Sequence, residues 1–326
     1  MILSSLDSTV LLAAAAGLGS AFLWGLGCLL FDRVQARPPA GVGSTVAPPS
    51  AAGMNLFKNS LCCAVLLLVM GLGGGGALPG VGAFWWLFLS GVIGFAIGDS
   101  LYFAAFPKAG VQVTAMVGNL IPILTGLLGW LFLGETAGAA TWFWMVVVLS
   151  GISLVVLDPA GRSSDAGPAM DPKDRALGLL YAFGSALSQA LGIVAASSAF
   201  EAVGVLPGTI ARLVGGILSA LVIGAFAGLL PGARGIVAEL SELTRPLRTP
   251  LLMRMLLVPT IVATILSLPL HSTAVRGAPP HIAALVLATS PLFILPLGRL
   301  FGARHGPLSL VGTLIGFAGV AGVLLA

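Results

Sequence analysis

The chain of 326 residues is 58% hydrophobic and only 8% charged, with a formal net charge of +4 at pH 7. A soluble domain carries about 25% charged residues, so this composition excludes a soluble globular protein and predicts a surface that faces lipid. The positive charge does not predict nucleic-acid binding, because the basic residues are scattered at the ends of apolar stretches, as they are in membrane proteins.

Ten apolar stretches, each near the roughly 20 residues that a spanning helix needs, are predicted to cross a membrane. Five precede a polar linker at residues 158–174 and five follow it, at 10–31, 53–72, 83–106, 110–133, 139–157, 175–199, 208–230, 253–275, 280–301 and 307–326. The predicted fold is an all-α integral membrane protein with one five-helix unit in residues 1–157 and a second in 175–326. The first nine residues contain no Lys or Arg, so a cleaved signal peptide is not expected.

A repeated segment relates the two units. Residues 19–27, GSAFLWGLG, return at residues 184–192 as GSALSQALG, with five of the nine positions identical. An odd number of helices in each unit places the second copy in the opposite orientation, which gives an inverted repeat. Repeats of this kind are typical of secondary transporters that hold substrate near the bilayer midplane.

Further features recur at matching places in the two units. Lys58 lies early in the second span and Arg212 early in the seventh, while Pro122 interrupts the fourth span and Pro291 the ninth. Both prolines are expected to bend or break their helices, because proline removes a backbone donor and clashes with the preceding turn.

These features resemble a known family. The five-helix unit, the early basic residue of its second helix, the proline of its fourth helix and the following Leu133-Gly134-Glu135 are similar to the EamA repeat of the drug/metabolite transporter superfamily. The second unit departs from that pattern, with Gly302-Ala303-Arg304 where Gly-Glu is expected. The uncharged Gly73-Gly74-Gly75-Gly76 also replaces the family's basic run between helices 2 and 3. The resemblance implies ten helices around a central cavity and the transport, with export as the favoured direction, of a small metabolite, amino acid or drug across the bacterial inner membrane.

Two lines of reasoning disagree about orientation. All but two of the 15 Lys and Arg residues, Arg212 and Arg276, belong to one side of the predicted membrane. The positive-inside rule places that side in the cytoplasm and both termini outside. The family, in contrast, usually keeps both termini inside, so the orientation stays open.

Asp99, in the segment Gly98-Asp99-Ser100, is the one acidic residue well inside a predicted span. A carboxylate in the bilayer costs about 2.5–3.5 kcal/mol on insertion scales, so it is expected to face a cavity or a partner. It would bind a cationic group or carry a proton, or else form a fixed ion pair or meet water near the helix end. If protons drive transport, Asp99 is the expected carrier, and Asp99→Asn is expected to remove coupling without unfolding the protein.

Other polar residues within the spans are candidates for the translocation site, each with a structural alternative. Lys58 and Arg212 would either extend to the interface or line the cavity, meeting an anionic substrate group or pairing with Asp99. The remaining candidates are Tyr102, one turn after Asp99; Trp24 and Gln189, which occupy equivalent positions in the repeat; Asn119, just before Pro122; and His271, a second candidate for proton transfer. Packing is the alternative for the aromatic residues, and a neutral hydrogen-bonded state is the alternative for the histidine.

The sequence lacks the signatures of an enzyme or a metalloprotein. No HExxH, GxSxG or P-loop motif occurs, and Cys28, Cys62 and Cys63 lie in apolar runs where small buried side chains are expected. No catalytic residue, metal or cofactor is therefore predicted, and the expected partners are a small-molecule substrate and the lipid bilayer. A membrane-embedded enzyme and a non-transporting scaffold remain the alternatives, and the oligomeric state is left open.

Overall fold

The computed structural model describes residues 8–36, 49–73, 77–109, 114, 117–157, 172–227, 236–300 and 306–325. It is all-helical, with 91% helix and no strand in the described part of the chain. The all-α prediction is therefore confirmed. The linker at residues 158–171 and the glycine run at 74–76 lie outside the described residues.

Twelve helices are described along the chain. Their bounds are α1 Ser8–Ala36, α2 Ala51–Leu72, α3 Val81–Ala109, α4 Ile121–Leu133, α5 Ala139–Leu157, α6 Pro172–Phe200, α7 Val205–Ala227, α8 Ile236–Arg248, α9 Pro250–Gly277, α10 Pro280–Leu287, α11 Ser290–Leu300 and α12 Pro307–Leu325.

Six of these helices (α1, α2, α3, α6, α7 and α9) are long and apolar enough to cross a membrane. Four shorter apolar segments, Ile121–Leu133, Ala139–Leu154, Pro280–Ile294 and Pro307–Val323, fall at the other predicted spans. The sequence did not predict α8. This helix has a near-even balance of apolar and polar residues, so a search for long apolar stretches passes over it.

Two π-helical segments interrupt the long helices α3 and α9. They cover Val92–Gly98 and Ile261–Leu266, and each is followed directly by α-helix, beginning at Asp99 in α3 and at Ser267 in α9. A π segment shifts the backbone hydrogen bonds from i−4 to i−5, and such segments occur frequently at functional sites. In α3 the Asp99 N–H donates to the Gly94 carbonyl in this way.

Helices of one half pack against helices of the other. Helix α1 runs along the second half of α9, and α6 runs along the second half of α3. The last helices of the two halves, α5 and α12, also pack against each other along their lengths. They approach each other closely at glycines, since a Cβ on Gly151 would lie 2.5 Å from the Gly316 nitrogen. Small residues permit such contact where lipid gives no hydrophobic drive for association.

Pro122 and Pro291, the two prolines singled out from the sequence, lie at helix starts rather than in mid-helix. Pro122 occupies the first turn of α4, directly after a turn at Asn119 and Leu120. Pro291 occupies the first turn of α11, after the turn at 288–289 that separates α10 from α11. Proline is well tolerated in a first turn, where its missing N–H would have no intrahelical partner.

Candidate functional site

A cavity of about 160 Å³ lies inside the bundle and is lined by residues of both halves. Most of the sequence-predicted site residues line it, namely Trp24, Lys58, Asp99, Tyr102, Asn119, Gln189, His271 and Pro291. Arg212 and Pro122 are not among the lining residues.

Asp99 is held by a buried polar network. Its Oδ2 lies 2.6 Å from Lys58 Nζ, and its Oδ1 accepts a 2.6 Å hydrogen bond from Gln189 Nε2. Lys58 Nζ also donates to Asn59 Oδ1 at 3.0 Å, and Asn59 Nδ2 donates to Asn55 Oδ1 at 3.0 Å. Both carboxylate oxygens are thus already engaged, and the positive charge nearest to Asp99 comes from the protein itself.

The π segment of α3 shapes this network. Asn55 Nδ2 donates to the Phe95 carbonyl at 2.6 Å, and Gln189 Nε2 lies 3.3 Å from the Gly94 carbonyl. Side chains of α2 and α6 therefore satisfy backbone oxygens at the π segment, as buried polar groups require. The same contacts bring both helices against the turn that carries Asp99.

Arg212 lies behind one wall of the cavity. The residue is 1% exposed, its Nε donates to Ser90 Oγ at 3.0 Å, and its guanidinium carbon lies 4.5 Å from the centre of the Phe95 ring. Its Nη1 has no hydrogen-bond partner within the described part of the protein. Phe95 also lines the cavity, so the guanidinium group packs on a residue of the cavity wall.

Neither repeat-paired cation extends to the membrane interface. Lys58 is 2% exposed, as deeply buried as Arg212. The alternative in which both side chains extend to the interface is therefore wrong, because packing against α3 encloses both of them. Of the pairings considered from the sequence, the structure contains that of Lys58 with Asp99.

Trp24 and Tyr102 form an aromatic wall of the cavity. Their ring centres are 6.3 Å apart, and the Tyr102 ring also packs edge-on against Phe106 at 4.8 Å. Lys58 Nζ lies 5.9 Å from the centre of the Trp24 ring. Gln189, which is equivalent to Trp24 in the repeat, contributes its amide to the Asp99 network instead.

Three polar atoms of lining residues have no hydrogen-bond partner among the described residues. They are Asn119 Nδ2, Thr264 Oγ1 and His271 Nε2. Thr264 is 2% exposed and Asn119 is 6% exposed, so bulk water does not readily satisfy them. A buried unpaired polar atom costs about 1–3 kcal/mol, so a hydrogen bond from a bound molecule to any of these atoms would be stabilising.

Glu135 lies outside the spans, in the connection after α4. Gly134 ends that helix in the left-handed conformation, with φ +68°, and the Glu135 N–H donates back to the Gly129 carbonyl at 3.3 Å. The Glu135 Oε2 is 4.0 Å from His281 Nδ1. Partial burial, and secondarily the charge of Glu201, raises the pKa of Glu135 above its ordinary value.

Sequence reasoning missed several residues of the network, among them Asn55, Asn59 and Ser90. Asn55, Lys58 and Asn59 have spacings of three and four residues, which place them on one helical face. A polar face within an otherwise apolar span was the signal that could have identified them. Ser90 Oγ donates to the Gly192 carbonyl at 2.6 Å while accepting from Arg212, a contact with no local sequence signal.

Metal-ligand chemistry has no candidate within the described residues. No group of three His, Cys, Asp or Glu side chains there is close enough together to hold a metal ion. The three cysteines are buried and form no disulfide within the described part of the chain.

Comparison with known proteins identifies the first half of the chain. Residues 11–157 match the model of the EamA-like transporter family, part of the drug/metabolite transporter superfamily, so the predicted resemblance is confirmed. None of the curated proteins matches the sequence. A solved structure described as "Crystal structure of protein" is similar, with a TM-score of 0.64 and 17% identity over 95% of this chain and 94% of that one. A likeness at this identity shows the fold alone.

Proposed function

We propose that this chain, whose residues 11–157 match the EamA-like transporter family, is a secondary transporter of a small metabolite, amino acid or drug. It works by alternating access around the cavity between α1, α2, α3, α6 and α9, and it exports its substrate across the bacterial inner membrane. The observation that carries the proposal is the cavity itself, where a buried ion pair and unpartnered polar atoms lie within an apolar bundle. Intramembrane ionisable groups are costly, and they typically mark substrate or ion pathways.

The proposed architecture is ten spanning helices arranged as two inverted five-helix repeats. The packing supports this arrangement when only the spanning helices are counted, because the first helix of each half (α1 or α6) lies against the third of the other half (α9 or α3). The π segments support it as well, since each third helix contains one. Lys58 and Arg212 are each the eighth residue of the second helix of their half.

The site residues carry different parts of the proposed mechanism. Trp24 and Tyr102 pack against the apolar body of the substrate, and Asn119 and His271 bind its polar groups. Asp99 and Lys58 form the charged centre whose pairing changes as the two halves move. A proton reaching Asp99 would break that pair, which is the proposed route for coupling transport to a pH gradient.

The test is substrate flux in proteoliposomes loaded with a panel of metabolites, with and without a pH gradient. Ala186 lines the cavity and is 1% exposed, so Ala186→Trp should fill the cavity and stop flux. Ala225 is exposed on α7, so Ala225→Trp is the matched control and should leave flux intact. Flux that survives Ala186→Trp in a folded protein would contradict a pathway through this cavity.

A further inference from the structure

The two halves of the cavity differ in charge. In the first half the cation of the second helix, Lys58, is paired with Asp99. In the second half the corresponding cation is Arg212, but the residue that follows the π segment is Ser267 in place of an aspartate. Ser267 bonds with Ser20, at 2.9 Å between their hydroxyl oxygens, and not with the arginine.

Arg212 therefore has no carboxylate of its own among the described residues, and the attraction of Asp99 is shared with Lys58. The charged residues that line the cavity are Lys58 and Asp99, which neutralise each other, together with the titratable His271. The guanidinium group contacts neutral partners, namely Ser90 and the Phe95 ring, and its Nη1 remains without a hydrogen bond in the described part of the protein. Among the described residues, two cations and one carboxylate leave the centre of the bundle with one excess positive charge.

An excess buried charge in a medium of low dielectric attracts an opposite charge much more strongly than it would in water. The desolvation cost of such a charge is several kcal/mol unless a partner offsets it. A molecule in the cavity can contact Phe95, the wall residue on whose ring the Arg212 guanidinium packs. Asn119 and Thr264 line the same cavity, and each has a polar atom without a hydrogen-bond partner among the described residues that a polar headgroup can recruit.

We propose that the cavity selects a small organic anion, a monocarboxylate with an aromatic or apolar body, and that Arg212 supplies the charge that selects it. This inference rests on the transport function proposed above. The body of the ligand packs against Trp24 and Tyr102. The carboxylate of the ligand supplies the negative charge that the second half lacks, because Ser267 stands where the first half has Asp99.

Trp24 provides a direct test, because its ring lines the cavity and its fluorescence reports which ions reach it. The chain has six Trp residues, so the signal of Trp24 is the difference between the protein and its Trp24→Phe variant. Iodide, acrylamide and caesium serve as anionic, neutral and cationic quenchers. A positive potential concentrates anions. The ratio of iodide to caesium quenching efficiency should therefore be about threefold higher for Trp24 than for free indole.

Variants of Arg212 distinguish an effect of its charge from an effect on folding. Arg212→Gln should abolish the excess of iodide quenching, and Arg212→Lys should retain most of it. Arg276→Gln is the matched control, because Arg276 is an exposed cation at the end of α9. If acrylamide quenches Trp24 but iodide does no better than caesium in the parent protein, the inference is wrong. An iodide preference that survives Arg212→Gln would also overturn it.

Ligand charge is tested with three compounds of similar shape, phenylacetate, phenylacetamide and phenethylamine. A bound ligand raises the melting temperature in proportion to its affinity, and phenylacetate should bind about tenfold more tightly than the amide. Equal or tighter binding of the amide or the amine would overturn the inference.

The same three compounds separate this inference from the proposed function. Flux of neutral or cationic panel compounds in preference to anions would refute anion selection while leaving the transporter intact. Selective binding of phenylacetate without flux of any panel compound would refute transport and leave the anion site standing.

Discussion

At the scale of single residues, the Lys58–Asp99 ion pair determines how substitution of Asp99 changes the stability of the protein. Asp99→Asn leaves Lys58 as a second buried cation without a carboxylate, and breaking a buried pair in this way costs about 3–5 kcal/mol. The sequence alone predicts that Asp99→Asn folds normally, a prediction that does not include the cost of leaving Lys58 unpaired. We now expect a clear fall in the melting temperature measured in detergent.

The double variant Lys58→Gln with Asp99→Asn is the matched comparison. It replaces two charges by amides that can hydrogen-bond to each other, so it should recover most of the stability lost in Asp99→Asn, by about 2 kcal/mol or more. Equal stability of the single and double variants would mean that the pair is not coupled. If Asp99 carries protons, flux through the double variant should not respond to a pH gradient.

Glu135 gives a prediction for pH dependence. Its pKa is raised above the ordinary value of 4.5, so the folded protein keeps this proton to a higher pH than the unfolded chain does. Stability is therefore lost as the pH rises through the interval above that value. Glu135→Gln should be as stable as the parent near about pH 4 and more stable near about pH 8.

Attraction between a charged His281 and the Glu135 carboxylate would reverse the expected effect of Glu135→Gln on stability. Its Nδ1 lies 4.0 Å from Glu135 Oε2, and a charged imidazole would stabilise the carboxylate. A Glu135→Gln variant that is less stable than the parent at neutral pH would show that this contact outweighs the desolvation of Glu135. Melting curves of both proteins across the pH range decide between the two.

At the scale of helices, the contact between α3 and α7 depends on glycine. A Cβ on Gly91 would lie 1.8 Å from the Arg212 carbonyl oxygen, and one on Gly215 would lie 2.2 Å from the Phe88 carbonyl oxygen. Both obstacles are backbone, so the helices themselves would have to move. That movement would displace the π segment that begins at Val92 and the network it positions.

Gly91→Ala should therefore destabilise the protein by about 1–3 kcal/mol or more, the usual cost of overpacking. Gly82, on the same helix, has no atom within 4 Å of an added Cβ. Gly82→Ala is thus the control and should be neutral or slightly stabilising, because alanine favours helix more than glycine does. Similar melting temperatures for the two variants would argue against close α3–α7 packing.

The sequence predicts some helices better than others, for physical reasons. Long apolar runs such as those of α2 and α7 are recognised because a span must be apolar along its whole length. Helix α8 is not recognised, because it is a short amphipathic segment that carries several charged residues, among them the ion pair of Glu242 and Arg245. The π segments have no signal in composition, since they depend on which side chains of neighbouring helices reach the backbone carbonyls.

The site was predictable in its main residues but not in its pairings. Asp99, Lys58 and Gln189 stand out because polar residues are rare within membrane spans. Their mutual contacts depend on how α2, α3 and α6 cross, and no single helix encodes that geometry. Arg212 illustrates the limit most clearly, because its position in the repeat matches Lys58 while its partners, Ser90 and Phe95, are of a different kind.

At the scale of the whole molecule, charge divides the two faces of the bundle. The basic face includes the ends of α1 and α3 and the whole of α8, where Arg33, Lys108, Arg245 and Arg248 lie. The opposite face carries the connections after α4 and α6, with Glu135 and Glu201. Positively charged connections stay in the cytoplasm, so we expect the basic face to be cytoplasmic and the acidic connections to face outward.

Cysteine labelling tests this orientation with little background, because Cys28, Cys62 and Cys63 are all buried. Thr136, in the connection after α4, and Ser241, on α8, are both exposed and lie on opposite faces. A membrane-impermeant maleimide added to intact cells should label Thr136→Cys, and should label Ser241→Cys only after the cells are opened. The reverse pattern would show that the positive-inside rule fails for this chain. The acidic connections around Glu135 would then face the cytoplasm, and the pH that acts on them would be the cytoplasmic one.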